Sequence, residues 1–137
     1  IGIAPNGTVY VSGRHGNRVQ YFTPAGSFLG KWGAYGSAEG EFNEPIGIVV
    51  AADGKVFVAD ASNNRVQYFT SDGSFLGAFG KGGTGNGEFS WPVDAALPPA
   101  QPGIYVGDYG NDRVQYFAQA NPTVTPASLG RVKALFR

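Results

Sequence analysis

Apolar residues in this chain come in short runs, each cut off by a turn signal rather than continued at helical spacing. Residues 1–4 form the first run and Pro5-Asn6-Gly7 ends it. Asn-Gly favours a tight hairpin because both residues accept positive φ. Residues 8–12 return, Gly13 to Gly16 turn the chain again, and residues 17–23 make a third run. Pro24-Ala25-Gly26 leads to a fourth run over 27–32. The predicted unit is four short antiparallel strands, followed by a glycine-rich connector from Gly33 to Glu44.

The unit then recurs. Asn17-Arg18-Val19-Gln20-Tyr21-Phe22 returns as Asn64 to Phe69 and as Asp112 to Phe117, at spacings of 47 and 48 residues. Four strands repeated at this period predict an all-β chain of three propeller blades, covering about 1–45, 46–92 and 93–137. Blade two is the most regular copy. Blade three replaces its first turn with the stiffer stretch 98–102, and its pattern fails over 119–128. Residues 129–136 are the candidate for its fourth strand. Alternation within the hexapeptide puts Arg, Gln and Phe on one face, Val and Tyr on the other. Neither face is wholly polar, as expected of a sheet sandwiched between two others.

Composition narrows the function classes. Net charge is zero, with ten basic and ten acidic residues, so no broad field steers nucleic acid or anionic lipid. No apolar run approaches the roughly 18 residues of a membrane span, so neither nucleic-acid partners nor membrane insertion are expected. There is no Cys, and the single His15 sits in a turn. Thiolate metal sites are excluded, and one His cannot build a metal site alone. No metal or cofactor is expected. The 22 glycines fit tight turns between strands.

One polar couple recurs. Asp60 and Asp108 end a strand, and Arg65 and Arg113 begin the next one five residues later, within reach of a bidentate pair. In blade one Gly13 replaces the Asp, so Arg18 must find another partner. The regular recurrence reads as an internal clamp in each blade, although an Arg fork also suits carboxylate or phosphate ligands. Trp32, Tyr35 and Trp91 flank the connectors. They are candidates for an interaction surface or for packing between blades.

These features resemble the NHL repeat family. The resemblance rests on Pro45-Ile46-Gly47-Ile48-Val49-Val50, Asp53-Gly54-Lys55-Val56-Phe57-Val58-Ala59-Asp60, Asn63 to Phe69, Gly73-Ser74-Phe75-Leu76, and Gly85-Asn86-Gly87-Glu88-Phe89 before Trp91-Pro92. It implies a β-propeller, usually of six blades. Three blades leave two apolar sheet faces open. Further blades of the same protein, or a second copy in a two-fold pair, are therefore the expected partners. The chain opens inside a repeat without Met, and an upstream part is expected.

The functional expectation is a non-catalytic module for protein interaction or self-assembly, in an extracellular or envelope setting that the resemblance suggests. Two alternatives stand beside it. One is a fragment of a propeller enzyme of lyase or lactonase type, with its active residues outside this chain. The other is carbohydrate or ligand binding at the connectors.

Overall fold

The computed structural model describes residues 1–99, 102–119 and 129–136, with the backbone alone for 119 and 129–136. Three four-stranded antiparallel sheets account for its regular structure. The first holds β1 (Gly2–Ile3), β2 (Val9–Gly13), β3 (Arg18–Phe22) and β4 (Phe28–Trp32), side by side in chain order. The second holds β5 (Pro45–Val50), β6 (Val56–Asp60), β7 (Arg65–Phe69) and β8 (Phe75–Phe79). The third holds β9 (Pro92–Ala96), β10 (Ile104–Asp108), β11 (Arg113–Gln119) and β12 (Leu129–Phe136). The candidate fourth strand of blade three thus pairs with β11. The irregular stretch 120–128 and two residues of the 98–102 turn lie outside the described residues.

Local chemistry sets the strand ends. In the first hairpin Gly7 adopts φ 86, its N–H donates to the Ala4 carbonyl at 2.8 Å, and Asn6 Oδ1 accepts from the Thr8 N–H at 3.0 Å. The same turn recurs at Asp53-Gly54, where Gly54 has φ 88. The hairpins carrying the hexapeptide share one register: Gly13 faces Arg18, Asp60 faces Arg65 and Asp108 faces Arg113. In blades two and three a 3-10 turn, Ala61–Asn63 and Tyr109–Asn111, makes that connection. It closes on a left-handed residue, Asn64 or Asp112, at φ 52 and 50. Asn and Asp tolerate this conformation better than most residues.

Alternation sorts the side chains between two cores. Phe69, Val56, Val58 and Ile48 face blade one, against Tyr10, Val19, Trp32 and Phe42. Val66, Tyr68 and Phe57 face blade three, against Ile104, Val106, Phe117 and Phe89. The middle sheet is therefore buried on both faces, which explains why all five residues of β6 are buried. The sheets come closest at their first strands. A Cβ on Gly47 of β5 would lie 2.5 Å from the Asp94 Cα of β9, so glycine is required for that approach.

Candidate functional site

Each Asp–Arg couple is part of a larger grip, and what it grips is the connector arriving from the preceding blade. Asp60 is fully buried. Its Oδ2 accepts from Arg65 Nε at 2.7 Å, Asn63 Nδ2 at 2.9 Å and Gln67 Nε2 at 3.1 Å. Its Oδ1 accepts the Asn43 N–H at 2.7 Å. Arg65 donates onward to the carbonyls of Ser37, Ala38 and Glu41, each at 2.9 Å. Gln67 donates to the Glu41 carbonyl at 2.6 Å and accepts the Gly40 N–H at 3.0 Å. Asn63 donates to the Gly36 carbonyl at 2.9 Å. A connector without strand partners thus has its backbone polar groups satisfied by side chains, as a half-buried backbone requires.

Blade three repeats the arrangement with the same residue types. Asp108 Oδ2 accepts from Arg113 at 2.8 Å, Asn111 at 2.9 Å and Gln115 at 3.1 Å, and Oδ1 accepts the Ser90 N–H at 2.7 Å. Arg113 donates to the carbonyls of Thr84, Gly85 and Glu88, and Gln115 bonds Glu88 and Gly87. The arm ends in an aromatic plug. Phe42 lies 5.6 Å from Phe69, and Phe89 lies 5.4 Å from Phe117. The last aromatic of the preceding blade completes each stack, Trp32 at 5.5 Å from Phe69 and Phe79 at 4.6 Å from Phe117.

A second fastening sets the entry to the next sheet. Glu44 and Trp91, each followed by proline, hold φ 55 and 59. Their N–H groups donate to Asn17 Oδ1 at 2.9 Å and Asn64 Oδ1 at 2.8 Å. The left-handed turn residue of one blade thus anchors the left-handed entry residue of the next. At the same end, Arg14 pairs with Glu44 at 3.0 Å and lies 5.7 Å from the centroid of the Trp91 ring. A hydrogen bond from the Ser62 hydroxyl, then Arg14, holds the Glu44 carboxyl below its ordinary range against partial burial. The Gly85 N–H, with Lys81 nearby, does the same for Glu88.

Blade one departs from the pattern. Gly13 and Gly16 occupy the places of Asp60 and Asn63, while Arg18 and Gln20 remain. The expectation that Arg18 finds another partner fails among the described residues. Its side chain makes no hydrogen bond there and is exposed, where water solvates the guanidinium. Phe22 has its Phe28 neighbour at 5.9 Å, as Phe69 has Phe75 at 6.0 Å, but no described arm or preceding aromatic covers it. Phe28 is 56% exposed and Ile3 65% on this flank, whereas Phe69 is fully buried on the matching face of blade two.

Of the three aromatic candidates, Trp32 lies between blades, stacked with Tyr10, Tyr21 and Phe69. Its indole Nε1 is buried without a hydrogen-bond partner. Trp91 is half-buried beneath Arg14. Tyr35 is 73% exposed. Sequence reasoning missed Gln67, Gln115, Asn63 and Asn111 as members of the grip. The signal was present: a glutamine recurs in all three hexapeptides at a position whose neighbours are apolar. Among the described residues no three His, Asp or Glu side chains converge as a metal site would require.

A family model described as "NHL repeat" matches residues 42–69. The chain carries an NHL repeat. The matched stretch runs from the plug Phe42 through β5, β6 and β7 to Phe69, the ring it packs on. The NHL repeat thus contains the plug, the Asp60–Asn63–Arg65–Gln67 set and their aromatic seat in one segment. No curated relative matches. Among solved structures, a streptogramin B lyase is similar over 96% of this chain and 38% of its own, with 14% identity and TM-score 0.69. A selenomethionine-substituted virginiamycin B lyase from Staphylococcus aureus covers 99% of this chain and 40% of its own, at 11% identity and TM-score 0.67. Hydrazine synthase from Kuenenia stuttgartiensis covers 85% and 31%, at 17% identity and TM-score 0.67. These likenesses establish the β-propeller fold. The chain spans well under half the length of each of these structures.

Proposed function

We propose that this chain is a non-catalytic β-propeller segment that works by binding protein, its flanks packing against further blades from the same protein or another copy. One observation carries this reading. The outer face of blade one presents Val9, Val11, Gln20 and Phe22, matching Val56, Val58, Gln67 and Phe69, which blade one itself buries on blade two. A surface of this composition left open to water is an association site. The buried polar side chains described, Asp60, Gln67, Asp108, Arg113 and Gln115, are all engaged in holding connectors. Their chemistry is therefore structural in this reading.

Multi-angle light scattering and sedimentation equilibrium on the isolated chain test it. The chain is expected to associate through the apolar flank, and Phe22→Asp is expected to weaken association while circular dichroism stays unchanged. A monodisperse monomer across the micromolar range would overturn the reading.

A further inference from the structure

The two seated connectors share one pattern, Gly-x-x-x-Gly-Glu-Phe, at 36–42 and 83–89. Each meets the same receiving set: an Arg that donates to three carbonyls, a Gln that brackets Gly and Glu, and a Phe that seats the plug. Blade one keeps this receiving set as Arg18, Gln20 and Phe22. From hydrogen-bond and charge complementarity demonstrated twice in this molecule, we infer that the outer face of blade one is a docking site for one further arm of the Gly-x-x-x-Gly-Glu-Phe class, supplied by another propeller blade. Phe42 and Phe89 are fully buried in their own seats, so the arms of a second copy are already occupied. This inference rests on the proposed function and names the partner chemistry of that flank.

The site is a reduced version of its siblings. On blade two, seven side-chain hydrogen bonds hold the arm, and Arg65 and Gln67 make five of them. Gly13 and Gly16 remove the counterparts of the other two, including the carboxylate that accepts the arm's last N–H. Docking on blade one is thus an exchangeable form of a contact that is permanent elsewhere. The deletion is also reversible by design. A Cβ on Gly13 would find its nearest neighbour at 3.6 Å and one on Gly16 at 3.5 Å, and neither has positive φ. Gly13 faces Arg18 in the register that brings Asp60 to Arg65.

The test is fluorescence anisotropy with a labelled synthetic peptide of residues 36–43, titrated with the whole chain and its variants. Circular dichroism checks that each variant folds. Saturable binding is expected, weakened at least tenfold by Arg18→Ala and by replacing the peptide's Phe42 with Ala. Gly13→Asp combined with Gly16→Asn restores two hydrogen bonds, one to a carboxylate, and is expected to tighten binding about tenfold to a hundredfold. Binding seen only with that double variant, and abolished by adding Arg18→Ala, also supports the site. No binding by either form, or binding indifferent to Arg18→Ala, overturns it. If the chain still associates in light scattering while the peptide fails, the docking inference falls and the proposed function stands. If both fail, both fall.

Discussion

Asp108→Ala removes the centre of the grip in blade three, and its consequence can be worked from the partners left behind. The Arg113 side chain is 1% exposed, so the substitution strands a guanidinium that water cannot reach. Breaking a buried ion pair from one side costs about 3–5 kcal/mol. Asn111 and Gln115 keep carbonyl partners at Gly83 and Glu88, but the Ser90 N–H loses its acceptor. An orphaned buried donor adds about 1–3 kcal/mol. The total, about 4–8 kcal/mol, is comparable to the whole stability of a typical domain, about 5–15 kcal/mol. Asp60→Ala should cost less, because Arg65 is 15% exposed and water can take over part of its solvation. Urea unfolding followed by circular dichroism and by fluorescence of Trp32 and Trp91 measures both variants, with non-coincident transitions marking blade-wise unfolding. A loss below about 1 kcal/mol for Asp108→Ala, or a larger loss for Asp60→Ala, would refute the reasoning.

Other expectations follow from single features. Phe42→Ala empties a fully buried seat and should destabilise by about 3–5 kcal/mol in urea melts. Trp32→Phe should change stability by less than about 1 kcal/mol, because the indole N–H makes no bond and Phe79 fills the equivalent place in blade two. Gly47→Ala forces a Cβ to within 2.5 Å of the Asp94 Cα and should cost about 1–3 kcal/mol or more, read as a lowered thermal midpoint. The Glu44 carboxyl titrates below its ordinary range. A lowered folded-state value means its stabilising contribution is present above the unfolded value and is lost as pH falls through the folded one. Carbon-detected NMR titration should show this, and Ser62→Ala should move the midpoint upward.

Much of the architecture was legible because β structure announces itself locally. Asn6-Gly7 and Asp53-Gly54 fix hairpins, alternation in Arg65 to Phe69 fixes which face each side chain takes, and the period fixes the count of sheets. The Asp60–Arg65 contact was legible too, since a five-residue hairpin leaves the two ends opposed. What the couple holds was not. Arg65 and Ser37 are 28 residues apart, and nothing in a connector of Gly, Ser and Ala advertises that its carbonyls are the acceptors. Glu44 and Trp91 were equally hidden, because neither residue type favours left-handed φ. Only an asparagine on the neighbouring blade stabilises them there. The placement of Trp32 depended on which side of β4 faces the next sheet, which its flanking glycines do not reveal.

Because every sheet holds the arm that enters it, the heritable cassette of this fold is not the sheet. A cut between Trp32 and Gly33 and another after Phe79 would excise a piece carrying both latch and catch. Such a piece could be copied in tandem with each new join already fitted. Cuts at Pro45 and Pro92 would give pieces of nearly equal length that separate each catch from its latch, so duplication there would have to be repaired by its neighbours.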